Sequence, residues 1–143
     1  MKEMVSMKKS GKSSAVPAMI IFVLAVLAAV GVRTFFRPCI HDDGAFGACY
    51  WAGQAIFGLS LVLAAEGLAA VLLRDSGVRK GLYIAMLLTA VPGFFLPGTL
   101  ISLCGMASMR CRALMRPAVI ILYAVMDAAA AAGIFLSKMK SRV

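Results

Sequence analysis

The residues with the widest chemical reach in this 143-residue sequence are four cysteines, Cys39 and Cys49 in one segment and Cys104 and Cys111 in another, spaced by ten and seven positions. Thiols so placed support three chemistries. In an oxidising compartment they form structural disulfides that brace loops too short to bury a core, which is the plainest use of them. Four cysteines allow three connectivities, and the sequence does not choose among them. Pairing within the second segment requires it to leave helical geometry, because seven helical residues would separate the two thiols by about 10 Å. The stretch Cys104-x-Met106-x-x-Met109-x-Cys111 also gathers two thiols and two thioethers, a soft ligand set suited to copper(I). Electron transfer from thiol pairs to a quinone is the third chemistry, with Trp51 and Gln54 bordering the quinone.

Two acids, Glu66 and Asp127, sit inside long apolar runs, where an ionisable group is a functional candidate by default because facing it to lipid is costly. Glu66 lies eight residues from Arg74 and Asp127 eleven from Lys138, so at helical rise their depths are about 12 and 16 Å and the two can meet. No lysine or arginine lies at that depth to answer them. Structural burial, contact with a partner's helix and an ion pathway are the three uses open to the pair. Ala124, Ala128 and Ala132 recur every four residues beside Asp127, and Ala65 and Ala69 flank Glu66, the small-residue spacing that lets helices approach closely. His41, the single histidine, stands beside Asp42 and Asp43 and reads as a solvated loop residue rather than a metal or haem ligand.

The elements that must position these groups follow from composition. The chain is 62% hydrophobic and 15% charged, which excludes an ordinary soluble enzyme. Its formal charge of +9 sits at the ends of long uncharged runs, a placement that fits a membrane protein and not a nucleic-acid binder. Four runs, Ala15–Val32, Tyr50–Leu73, Gly81–Leu103 and Pro117–Leu136, each approach the roughly 20 residues that cross a bilayer as helix. Short connections make consecutive helices antiparallel neighbours. The expected fold is therefore all-α, a polytopic antiparallel four-helix bundle over residues 15–137, with basic tails at 1–14 and 138–143. Pro92 and Pro97, with Gly93 and Gly98, predict a kink in the third helix. The first run is long for a secretory signal and lacks a clear small-residue cleavage site, so it is expected to be retained.

Orientation follows from the cations. Lys2, Lys8, Lys9, Lys12, Arg74, Arg79, Lys80, Lys138, Lys140 and Arg142 put ten on one side, against five at Arg33, Arg37, Arg110, Arg112 and Arg116. Both termini are thereby placed in the cytoplasm and all four cysteines outside. The outer cluster Arg110, Arg112 and Arg116 runs against this trend, as helix-end caps do, or as a surface for anionic headgroups or an acidic ligand does.

Cys49-Tyr50-Trp51-Ala52-Gly53-Gln54-Ala55, Leu96-Pro97-Gly98-Thr99-Leu100-Ile101-Ser102-Leu103-Cys104 and Met109-Arg110-Cys111-Arg112 before Pro117 resemble the bacterial domain-of-unknown-function 4418 family of small four-helix membrane proteins. The resemblance spans most of the four helices. It implies a bacterial inner-membrane protein with outward cysteines, placed beside export machinery of the ATP-binding-cassette type, and no activity. Where related sequences tend to carry His between the cysteine and the tryptophan, this chain has Tyr50. Four helices with two outward cysteine pairs are also similar to the bacterial disulfide-bond oxidase (DsbB) family, but that family's Cys-x-x-Cys pair is absent.

The preferred reading is a non-enzymatic, disulfide-braced accessory or assembly subunit that packs against a larger transporter or a second copy of itself, with no cofactor and no nucleic-acid partner. Glu66, Asp127 and the alanine row carry association within the bilayer, and Arg110, Arg112, Arg116 and the loop around Cys39 form an outer contact surface. The alternatives are a quinone-coupled thiol oxidoreductase using Cys39, Cys49, Cys104 and Cys111, and a small proton-coupled or metal carrier using the two acids, with Cys104, Met106, Met109 and Cys111 the weak candidates for metal.

Overall fold

The computed structural model describes residues 15–37, 47–103, 105, 108 and 110–142. Four helices long and apolar enough to cross a membrane account for most of them, and the described residues contain no strand. They are α1 (Val16–Arg33), α2 (Ala48–Leu72), α3 (Ser76–Phe95) and α4 (Arg116–Arg142), the last entered through a π-helical turn at Cys111–Met115. At 1.5 Å per residue even the 18 residues of α1 reach about 27 Å, close to the hydrocarbon thickness of a bilayer.

Each helix end has a local cause. Pro17 occupies the first turn of α1, where its missing N–H is no loss. At the other end Thr34 Oγ1 donates to the Val30 carbonyl at 2.8 Å, and Arg37 Nε donates to the Arg33 carbonyl at 2.9 Å. Arg79 is buried near the start of α3 and reaches back to the end of α2, where its Nε donates to the Ala70 carbonyl at 3.1 Å and its Nη2 to that of Leu73 at 3.0 Å. That arginine satisfies carbonyls which a helix end leaves unpaired and which lipid cannot serve. Asp75 caps α3 by accepting from the Gly77 N–H at 2.8 Å.

Four boundaries differ by several residues from those the apolar runs imply. The third helix starts at Ser76 rather than Gly81, because the Asp75 cap recruits the basic stretch Arg79-Lys80 into the first turns. It stops at Phe95, so only Pro92 lies within it, and Pro97 and Gly98 end the helix instead of bending it. Gly98 takes φ +96°, a conformation that favours glycine, and its N–H donates to the Ile101 carbonyl at 3.1 Å to close a turn. The fourth helix begins at the cysteine rather than at Pro117. Pro117 has no N–H for the ladder, and just before it the Arg116 N–H bonds the Cys111 carbonyl five residues back, the wide turn that defines the π geometry. At its far end α4 runs on to Arg142, with Lys138, Lys140 and Arg142 in position to answer the negative pole of the helix dipole.

The helices pack as two hairpins, α1 with α2 and α3 with α4, closed into a bundle by smaller α2–α3 and α1–α4 contacts. Buried positions recur at three- and four-residue steps, as at Met115, Val119, Tyr123, Met126 and Ala130. The outer faces are equally apolar, carrying Leu27, Leu61, Leu88, Ile121 and Phe135. Lipid is as apolar as these side chains, so the bundle depends on close packing and internal hydrogen bonds rather than on the hydrophobic effect between helices. One end of the bundle, hereafter the cysteine end, holds Cys49 and Cys111, and the opposite end holds the basic segments.

Candidate functional site

The polar atoms inside the bundle lie at two levels. Nearer the cysteine end, the hydroxyls of Tyr123 on α4 and Ser60 on α2 are hydrogen-bonded at 2.9 Å, and the Tyr123 hydroxyl also donates to the Ile56 carbonyl at 3.2 Å. All three residues are fully buried. This link crosses the bundle between its two hairpins, and the ring reaches that far because Gly93 on α3 leaves its place open. Sequence reading passed over it, although a serine and a tyrosine within apolar runs are the signal available for such a pair.

The second level holds the acids. Glu66 on α2 and Asp127 on α4 are each half-buried. The Thr89 hydroxyl on α3 lies 3.3 Å from Glu66 Oε1 and 2.9 Å from the Ala85 carbonyl. The hydroxyl carries one proton, so it donates to the Glu66 carboxyl or to the Ala85 carbonyl, one at a time. Glu66 Oε2 and Asp127 Oδ1 are buried without a hydrogen-bond partner.

Helix register fixes where Asp127 stands. Tyr123 fills the space beside Gly93, and Tyr83 fills the space beside Gly133, so ten residues forward along α4 match ten residues back along α3. Four residues on from Tyr123 is Asp127, and four back from Gly93 is Thr89. Thr89 and Asp127 therefore share a level, and through Thr89 so does Glu66. Two carboxyls and a hydroxyl at one depth can hold or pass a proton, or contribute oxygens to a cation.

The alanine row points the other way. Ala124, Ala128 and Ala132 are exposed on the outside of the bundle together with Ile121, Val125 and Phe135. Ala65 is exposed as well, and Ala69 is half-buried. These alanines do not bring α2 and α4 together, one of the two uses their spacing allowed; the link between those helices is the Tyr123–Ser60 pair. The bundle's own close contacts use other small residues, among them Gly67 against Phe22 and Gly93 against Tyr123.

At the cysteine end, Cys49 lies in the first turn of α2 and Cys111 in the π-helical turn, both buried. Their sequence partners Cys39 and Cys104, the methionines Met106 and Met109, and His41, Asp42 and Asp43 lie outside the described residues. Disulfide bracing, copper(I) ligation and thiol redox chemistry all fall there. Among the described residues, no group of three or more His, Cys, Asp or Glu side chains gathers at a metal-binding distance. Arg110, Arg112 and Arg116 are exposed. Two of the three have a local task, since Arg112 Nη1 donates to the Gly105 carbonyl at 3.2 Å and the Arg116 guanidinium lies over Gly98.

Trp51 is exposed, and Gln54 is half-buried. The Gln54 side-chain oxygen accepts from Arg33 Nη2 at 3.2 Å, and the Arg33 guanidinium carbon lies 4.2 Å from the centre of the Phe57 ring. This cluster ties the end of α1 to the start of α2.

Among known families, the one described as "Domain of unknown function (DUF4418)" matches residues 21–136, which include all four helices in whole or in large part. No curated protein and no solved structure matches the chain.

Proposed function

The chain belongs to the family described as Domain of unknown function (DUF4418), and from that premise we propose that it is a small non-enzymatic subunit of a membrane assembly. Its docking face is the outside of α4, and its partner is a helix of a larger polytopic protein such as an ABC-type transporter, or a second copy of the chain. The observation that carries this reading is the outward placement of Ala124, Ala128 and Ala132. A row of small residues permits close helix approach, and here the bundle leaves it unused. Asp127 stands beside the row half-buried, so its carboxyl is a polar group with which a donor on an arriving helix could pair.

In this reading the basic end faces the cytoplasm of a bacterial cell and the cysteine end lies outside the inner membrane, in keeping with the ten-to-five division of cations. Disulfides among Cys39, Cys49, Cys104 and Cys111 brace that outer end.

Photocrosslinking in the intact membrane tests the proposal. A photoreactive residue at Ala128 is expected to give a discrete protein adduct, and one at Leu88, exposed on α3, to give only lipid adducts. Ala128→Leu should then abolish copurification of that protein in mild detergent. Lipid adducts alone at both positions overturn the reading.

A second reading is favoured by one observation, the shared level of Glu66, Thr89 and Asp127 with two partnerless buried oxygens. It makes the chain a small proton-coupled carrier, and it requires Asp127→Asn to abolish proton-coupled uptake in proteoliposomes.

A further inference from the structure

A groove of about 300 Å³ opens between α1 and α2. Its walls are Val26, Val30, Phe57 and Leu61, its low points Ala29 and Ala64, and its surface is apolar throughout. The groove exists because an alanine on each helix, Ala29 on α1 and Ala64 on α2, lies low between taller neighbours. It spans eight residues on each, from Val26 to Arg33 and from Phe57 to Ala64, or about 10 Å along the axes. Toward the cysteine end it finishes at the aliphatic stem of Arg33, whose guanidinium lies just beyond the apolar surface. Arg33 lines the groove there, held by the Phe57 ring at 4.2 Å and by Gln54 at 3.2 Å. Neither of those partners is an anion. Arg37, one turn further on, is tied to the Arg33 backbone by its Nε and brings a second exposed guanidinium to the same end.

We propose that this groove is a binding site for one anionic phospholipid, with an acyl chain lying between α1 and α2 and its phosphate on Arg33 and Arg37. The solvent around these helices is the bilayer itself, and a groove open to it fills with an acyl chain. The two arginines determine which chain. Guanidinium groups match phosphate oxygens in a two-point fork, and cations near the headgroup layer favour anionic over zwitterionic lipid. Arg33 is already anchored by stacking and by an amide, so little side-chain freedom is lost when the phosphate arrives. The site is independent of the subunit role, which uses residues of α4 and none of the groove's.

Trp51, the only tryptophan, lies at the same end of α2 and is exposed, which makes its fluorescence a local reporter. The full chain would be reconstituted in phosphatidylcholine vesicles and titrated with phosphatidylglycerol or phosphatidylcholine carrying brominated acyl chains. The proposal expects half-maximal quenching at about a fivefold lower fraction of the anionic lipid. Arg33→Gln should bring the two lipids level, and Arg33→Lys should keep part of the difference. Ala64→Leu fills the groove without touching either arginine and should also abolish the preference; Val30→Phe does so from the α1 side should the first variant misfold by circular dichroism. Arg112→Gln, at the other loop, should leave the fivefold ratio in place. Equal quenching of the wild-type chain by both lipids overturns the proposal. So does a preference that survives Ala64→Leu and Val30→Phe, which would mean diffuse surface charge, or displacement of the anionic lipid by an added isoprenoid quinone.

Discussion

The two hairpins are built on opposite uses of small residues. In α3–α4 every inward gap receives a large ring: Tyr123 lies where a Gly93 side chain would be, and Tyr83 lies within 2.5 Å of where the Gly133 Cβ would stand. In α1–α2 the close contact is backbone to backbone, with Gly67 against the main chain of Phe22, and further along Ala29 and Ala64 line a groove that none of the described residues fills. A ring in a glycine gap fixes register and distance together, whereas an alanine gap sets only distance and leaves the filling to the surroundings. On this geometry α3–α4 is the hairpin whose register is fixed by interlocking rings, and α1–α2 the one whose seam is left open.

The comparison breaks most visibly at the rings. A methyl group at Gly93 would stand inside the van der Waals envelope of the Tyr123 ring, so Gly93→Ala forces the ring or the helix to move. Alanine's better helix propensity, up to about 1 kcal/mol, does not offset an overpacking cost of about 3 kcal/mol. Gly93→Ala, and likewise Gly133→Ala, should destabilise the bundle by about 2 kcal/mol net or more, measured by unfolding in mixed micelles with rising sodium dodecyl sulfate. Wild-type stability in either variant would show that the tyrosines are not knobs in glycine holes.

Next in size is the bond that joins the hairpins. Tyr123→Phe keeps the ring beside Gly93 and removes the hydroxyl that meets Ser60 and the Ile56 carbonyl. Hydrogen bonds between membrane helices contribute about 0.6 kcal/mol each, so a loss of about 1 kcal/mol is expected in the same assay. No change would mean that the hairpins hold together by packing alone.

The four helices were legible because their signal is mean hydropathy, and predominantly apolar runs of about 20 residues read as membrane-spanning helix whatever their neighbours. Family membership was legible in the segments around Trp51, Pro97 and Cys111. Faces were not. A helix in lipid is apolar all round, so the 3.6-residue period that separates inside from outside in a soluble protein is nearly flat here. Hence Ala124, Ala128 and Ala132 offered either the α2–α4 contact or an outer surface, and only their exposure decides for the outside. The Gly93–Tyr123 and Gly133–Tyr83 pairs join residues 30 and 50 positions apart, beyond any local pattern. Glu66 and Asp127 were found as acids at comparable depth, but Thr89 at their level was not, since a threonine in an apolar run is unremarked until α3 is placed. The third helix was misplaced because an Asp75 cap and a Pro97-Gly98 stop act against hydropathy, moving both ends toward the basic segment.

The smallest effect separates the hairpins most finely. At Gly67 an added methyl would stand 3.1 to 3.2 Å from the Cβ, N and Cα of Phe22, tight against backbone but free of overlap with any ring. Relief requires α1 and α2 to part by a few tenths of an ångström, and that is easier beside an unfilled groove than between interlocked rings. The overpacking cost of about 1 kcal/mol is then nearly cancelled by alanine's helix propensity, leaving Gly67→Ala within about 0.5 kcal/mol of wild type. If Gly67→Ala instead matched Gly93→Ala in the same micelle unfolding assay, the α1–α2 hairpin would be as tightly specified as its partner, and the contrast between an interlocked hairpin and one with an open seam would fail.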